Sequence, residues 1–188
     1  RDRLDAGDHI IIHSERSTDD PTMDAVTSYQ ELLQQHYNKS QVEAVVVLSL
    51  VENDRSWYHL VTRHGAKMSY AKNHPVPFVE EDILPGTAPP KVANVQLAGR
   101  DVSVTGTICF DTDFPYLTRS VSSADLLLES SATWSNIGQQ HLRGHQYAAV
   151  ENGQALVKCT SDGYTGAISP YGSIVYQTPQ TTGVVSFQ

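Results

Sequence analysis

The spacing of apolar positions changes several times along the chain, and each change marks a switch between strand and helix. His9-Ile10-Ile11-Ile12-His13 is a short β-branched run and reads as a buried strand. Ser17 to Thr22, with Pro21, supplies turn residues. From Met23 to Tyr37 the residues Val26, Tyr29, Leu33 and Tyr37 recur at steps of three and four, which predicts a helix. Ala44 to Val51 is almost continuously apolar, as in a strand covered on both faces. Trp57 to Thr62 and Ala66 to Tyr70 predict two further strands around a turn at His64-Gly65.

Proline and glycine then dominate. Pro75 to Gly99 carries Pro75, Pro77, Pro85, Gly86, Pro89, Pro90 and Gly99, and reads as one long loop able to shape a site. Val102 to Ile108 is a strand, and Pro115 suits the first turn of a helix running to about Ser122. Asp125 to Glu129 is a strand, and Gln139 to Asn152 a helix stopped by Gly153. Ala155 to Cys159, Thr165 to Ser169 and Ser173 to Tyr176 are strands, the last two joined at Pro170-Tyr171-Gly172. Alternating strands and helices with paired strands near the end predict an α/β domain with mixed sheets.

Composition narrows the function. The 188 residues suit one domain, and 39% hydrophobic content supports a core. A net charge of −8 argues against a nucleic-acid groove, which needs clustered basic charge. The longest apolar stretch, Ala44 to Val51, falls far short of the ~20 residues of a membrane-spanning helix. Two cysteines, Cys109 and Cys159, make no disulfide framework.

Cys109 closes the strand Val104-Thr-Gly-Thr-Ile just ahead of a predicted helix. Helix N-terminal amides at such a turn favour thiolate, so a nucleophilic Cys109 is one reading and an inert buried cysteine the other. Cys159, in mid-strand, reads as core.

Four blocks carry a resemblance. They are Lys72-Asn-His-Pro-Val-Pro-Phe-Val-Glu80, Gly106-Thr-Ile-Cys-Phe-Asp-Thr-Asp-Phe-Pro115, Ala124-Asp-Leu-Leu-Leu-Glu129, and His141 through Glu151-Asn-Gly153. In order and spacing the chain resembles the nitrilase (carbon–nitrogen hydrolase) superfamily, most of all the branch of apolipoprotein N-acyltransferases, from about His9 to Tyr176. The resemblance implies an α-β-β-α sandwich formed by a single carbon–nitrogen hydrolase domain over residues 1–188. It also implies that the family's opening strand and helix are missing before Arg1, as in a fragment of a longer polypeptide.

The family works through a Glu–Lys–Cys set, and Glu15, Lys72 and Cys109 fit its positions. A second glutamate lies eight positions after the lysine, where Glu80 stands. On this reading Cys109 attacks an acyl carbon to give a thioester, Glu15 is the general base, and Lys72 with the Phe110 backbone N–H stabilises the oxyanion. Glu80 either holds Lys72 or positions the incoming nucleophile, and Glu151 braces the site from its helix. Trp134 and Tyr164 either line a pocket or pack. His141 and His145 have a spacing that can bind zinc, but no third ligand stands out and the family needs neither metal nor other cofactor, so none is expected.

The chain also departs from the family. Ser14 precedes the glutamate where proline is usual. Phe78-Val79-Glu80 replaces Phe-Gly-Glu. Phe110-Asp111 replaces the acyltransferases' Tyr-Glu, with Asp111 expected to support the site beside Phe110, and Ala148 replaces a usual arginine. The expected function is an amidohydrolase or N-acyltransferase acting on a small-molecule amide, nitrile or acyl donor. The alternative is a non-catalytic binding or scaffolding module on the same fold. A homodimer and upstream membrane helices are implied partners. An extracytoplasmic or membrane-associated location follows only if the acyltransferase reading holds.

Overall fold

The computed structural model describes residues 9–15 and 23–179; the turn expected at Ser17 to Thr22 lies outside them. Strand β1 (Ile10–Ile12) leads to helix α1 (Met23–Ser40), then β2 (Val45–Glu52), β3 (Arg55–Thr62) and β4 (Gly65–Ala71). Next come β5 (Ala93–Leu97), β6 (Arg100–Ile108), a 3-10 turn (Cys109–Asp113) and α2 (Pro115–Ser120). The remaining elements are β7 (Leu126–Ser131), α3 (Gly138–Asn152), β8 (Ala155–Thr160), β9 (Tyr164–Ile168) and β10 (Ile174–Pro179).

The strands form two mixed sheets, ordered β1-β2-β3-β4 and β10-β9-β8-β7-β6-β5. In the first, β1 runs parallel to β2 with Ile11 opposite Val46, and β2, β3 and β4 are mutually antiparallel. In the second, β6, β7 and β8 are parallel, with Ile108 opposite Ser130 and Glu129 opposite Lys158.

The period-two alternation of strand side chains explains the layering. Val45 and Val47 of β2, with Tyr58 and Leu60 of β3, face Val104, Ile108 and Leu128 of the other sheet. Their neighbours Val46, Leu48, Leu50 and Val61 face α1, which returns Val26 and Leu33. Leu127 and Leu156 face α3, which supplies Leu142 and Ala149. Both faces of β2 are thus covered, which is why Val45 to Leu50 is buried throughout. The result is a four-layered α-β-β-α sandwich. Gly106 of β6 lies directly against the facing sheet: a Cβ there would run into the Tyr58 ring.

Several expectations need correction. Pro75 to Gly99 is not all loop, because Ala93–Leu97 pairs antiparallel with β6 as an edge strand. Its connection is a two-residue turn, Ala98-Gly99, with both residues at positive φ (50° and 74°), as a type I′ hairpin requires. Prolines upstream mask the alternation Asn94-Val95-Gln96-Leu97. The turn between β3 and β4 falls at Arg63-His64, one residue early, and α1 runs on past Tyr37 to Ser40. Tyr37 is not core; it lies under the Arg63 guanidinium, 4.1 Å from ring centroid to Cζ. Gly153 ends α3 in the left-handed conformation (φ 64°), as its position predicts. No described helix is long and apolar enough to cross a membrane.

Candidate active site

The ends of four strands bring the expected residues together. Glu15 follows β1, Lys72 follows β4, Cys109 follows β6, and Ala132-Thr133 follow β7. The Glu15 N–H donates to the Ser131 carbonyl (3.1 Å), and Ser130 Oγ donates to the His13 carbonyl (2.7 Å). These bonds tie the segment bearing Glu15 across to the second sheet. The Lys72 N–H donates to the Ser56 carbonyl, and the Gly86 N–H closes on the Lys72 carbonyl (2.7 Å). A Cβ on Gly86 would collide with the Ala71 backbone, so only glycine lets the loop come this close.

Lys72 Nζ lies between two carboxylates, 2.8 Å from Glu15 Oε1 and 2.7 Å from Glu80 Oε2. Ser56 Oγ also reaches Glu15 Oε1 (3.4 Å), and the Val76 N–H donates to Glu80 Oε2 (2.7 Å). All three charged side chains are buried. Burial works against the Lys72 ammonium, but Glu15, Cys109 and Glu80 outweigh it and raise its pKa. Lys72 is therefore a fixed cation. Removing one member of a buried ion pair typically costs about 3–5 kcal/mol, so this set contributes to stability.

Cys109 sits in the left-handed region (φ 46°), a strained conformation for a non-glycine residue, at the abrupt change from strand to 3-10 turn. Its Sγ lies 3.9 Å from the Ala132 carbonyl oxygen. Burial, then the Glu15 carboxylate, push its thiol pKa up; Lys158, Lys72 and a hydrogen bond with Ser131 oppose this but do not win. That corrects the expectation of a helix-stabilised thiolate. Cys109 opens only a single 3-10 turn, too short to offset desolvation, so the resting sulfur is a neutral thiol.

Glu15, Lys72, Glu80 and Cys109 line one cavity of about 320 Å³. Phe110, Val76, Val79, Trp134 and Ile137 give it apolar walls, and Val79, Trp134 and Ile137 remain half exposed. Trp134 is thus a lining residue, whereas Tyr164 packs against the α3 cluster. Two other expected residues lie elsewhere. Asp111 is fully buried outside the cavity wall, where its carboxylate accepts from the Tyr70 hydroxyl, the Asn73 and His74 N–H groups (2.9 and 2.7 Å) and His74 Nδ1 (2.7 Å). It pins the turn that carries Lys72. Glu151 is half exposed on α3 and pairs loosely with Arg119 at 3.9 Å, so it does not brace the site.

The structure adds a second cluster, built from Asp113, Glu129, His141, His145 and Lys158, of which Asp113 and His141 line the same cavity. Lys158 Nζ lies 2.5 Å from Glu129 Oε1, 3.0 Å from Ser131 Oγ and 3.3 Å from His141 Nδ1. His145 Nδ1 is 2.8 Å from Glu129 Oε2, and both histidine Nε2 atoms are 3.2 Å from Asp113. Burial disfavours the Glu129 carboxylate, yet His145 and Lys158 hold its pKa at about 2. Burial also opposes a charged His145, but Glu129 raises it, while burial lowers His141. The sequence carries one signal for this cluster: Glu129 and Lys158 each interrupt an apolar strand run, and β7–β8 pairing sets them opposite each other.

Comparison with known proteins bears on the fold and on the sequence relatives. An amidase from Nesterenkonia sp. superposes over 95% of this chain and 76% of its own, at 20% identity and a TM-score of 0.71. A cysteine-to-serine mutant of the Nesterenkonia AN1 amidase from the nitrilase superfamily gives 0.70 over 93% of this chain and 76% of that one, again at 20% identity. The fold is that of the nitrilase superfamily. In sequence, this nitrilase-like chain is related to apolipoprotein N-acyltransferases. That of Pseudomonas putida is 30% identical over 162 residues, 74% of this chain and 32% of its own length. That of Neisseria meningitidis is 33% identical over 136 residues, 62% of this chain and 27% of its own length. The chain thus spans about a third or less of the curated relatives it matches. No protein-family model matches it.

Proposed function

We propose that the protein is a cysteine-dependent enzyme of the carbon–nitrogen hydrolase kind, working through a thioester with Glu15, Lys72 and Cys109. The observation that carries this reading is the buried Lys72 ammonium, held between Glu15 and Glu80, on a cavity that Cys109 also lines. A binding module has no need of a fixed cation, a carboxylate and a strained cysteine on one small cavity, which favours the enzyme over the scaffolding alternative.

The chemistry follows from the charge states. Because the Cys109 thiol is neutral at rest, its proton must leave as sulfur attacks. Glu15 accepts that proton while the S–C bond forms. Negative charge moves to the carbonyl oxygen, where Lys72 Nζ and the Phe110 N–H donate to it. Collapse of the tetrahedral species breaks the C–N or C–O bond, and the leaving group takes the proton from Glu15. Water or an amine then attacks the thioester, Glu15 takes its proton, and collapse of the second tetrahedral species breaks the C–S bond and returns the proton to sulfur.

Hydrolysis and transfer share the first half of this cycle. The apolar, half-exposed rim of Val79, Trp134 and Ile137 favours an acyl group with hydrocarbon character, and the curated relatives bear the name N-acyltransferase. One of the similar structures, a mutant amidase, carries the acetamide moiety of fluoroacetamide on its active-site cysteine, an alkylation that leaves the amide intact, so short amides are reasonable first probes. Intact-mass spectrometry of the protein with short amides, nitriles and phospholipids tests the reading. A single acyl mass increment on Cys109 is expected. Absence of any increment, or one mapping to Cys159, would contradict it.

A further inference from the structure

We propose that Asp113, His141 and His145 form a binding site for a divalent metal of the zinc class on the wall of the cavity that holds Cys109. The site goes beyond the thioester chemistry, which uses none of the three residues.

Helix spacing sets the first two ligands. His141 and His145 lie one turn apart on α3, with ring centroids 4.4 Å apart, and both point Nε2 at the same carboxylate. Asp113, on the turn just after Cys109, offers one oxygen to each: Oδ2 is 3.2 Å from His141 Nε2 and Oδ1 is 3.2 Å from His145 Nε2. The three residues' ligand atoms fall within 4.8 Å of one another. Zinc bonds of about 2.0–2.2 Å in a tetrahedron place ligand atoms roughly 3.3 Å apart, close to the separation of each histidine Nε2 from its own Asp113 oxygen, so either oxygen can serve as the one Asp113 ligand. Asp113 is the most exposed of the three and can turn to meet an ion, whereas the histidines are already fixed.

The outer contacts of the two rings point the same way. A metal-binding histidine usually has its other ring nitrogen held by a carboxylate or another polar group. Here His141 Nδ1 lies 3.0 Å from Thr133 Oγ1 and 3.3 Å from Lys158 Nζ, and His145 Nδ1 lies 2.8 Å from Glu129 Oε2, an ion-pair contact without hydrogen-bond geometry. The polar contacts of Nδ1 leave the Nε2 of each ring on the Asp113 side. His145 is also almost wholly buried, and the His141 Nε2 atom has no partner of good hydrogen-bond geometry among the described residues. Carboxylates of Asp113 and Glu129 offset the charge of an ion beside Lys158. Three protein ligands leave a fourth position, and because Asp113 and His141 line the cavity, that position opens towards it.

The test is titration of the full chain carrying Cys109→Ala with Co²⁺, followed by its visible absorption. Removing the thiol separates this result from the fate of the proposed acyl chemistry. One equivalent should bind with a tetrahedral-type spectrum and be displaced by Zn²⁺. Asp113→Asn and His141→Ala should each abolish the signal. Glu129→Gln, which leaves all three ligands in place, should weaken binding by about 10- to 100-fold. Circular dichroism identifies any variant that fails to fold, and His141→Ala, on a partly exposed site, provides the decisive arm if Glu129→Gln does not fold. Failure of the Cys109→Ala protein to bind Co²⁺, or binding that survives both Asp113→Asn and His141→Ala, would overturn the site.

Discussion

At Cys109 two influences oppose each other. Position at a strand-to-turn junction suggests an activated thiolate, yet burial and the neighbouring Glu15 carboxylate raise the thiol pKa. The sign decides the mechanism. A pKa above the ordinary cysteine value leaves sulfur protonated near neutrality, so reactivity depends on a base acting during attack. Uncatalysed alkylation reports the thiolate directly. Labelling of Cys109 by iodoacetamide should therefore keep rising about tenfold per pH unit up to and beyond about pH 9. A plateau below about pH 8 would show a stabilised thiolate and remove the need for Glu15. Lys72 illustrates a related point: it is buried between two carboxylates, so its loss would cost stability as well as rate.

At the scale of elements, the motif Gly106-Thr-Ile-Cys109 combines packing with placement. Gly106 is where β6 passes under Tyr58 of the facing sheet, and any side chain there must displace a fully buried ring. Overpacking of this kind typically costs about 1–3 kcal/mol. Gly106→Ala should lower unfolding stability in that range, measured by denaturant titration, and slow Cys109 acylation because β6 carries the thiol. Wild-type stability together with a wild-type acylation rate would show that the close approach is unimportant. Most elements are legible from apolar spacing because each buries a face with its own period. Strand β5 is not, since a five-residue edge strand buries few side chains and its alternation lies just after a run of prolines.

For the whole molecule, the boundary of legibility is set by distance in sequence. Family spacing groups Glu15, Lys72, Glu80 and Cys109, and the fold brings all four to one cavity. Asp111 and Glu151 join the expected site only through their nearness to the same sequence blocks, and nearness in sequence proves a poor guide. The aspartate turns away to hold the Lys72 turn, while the glutamate faces outward along α3. The Asp113–His141–His145 cluster is half visible, as a histidine pair whose third partner stands 28 residues upstream of His141 (141 − 113 = 28) and meets it only because α3 packs beside the 3-10 turn. The central claim is that an acid, an amine and a sulfur act together on one carbonyl. Comparing the rate of acyl-adduct formation on Cys109 in the native protein and in Glu15→Gln tests it most directly. Glutamine keeps the shape and the hydrogen bond to Lys72 but cannot take the proton, so the rate should fall by about 10²–10⁴-fold with circular dichroism unchanged. An equal rate in the two proteins would contradict the account.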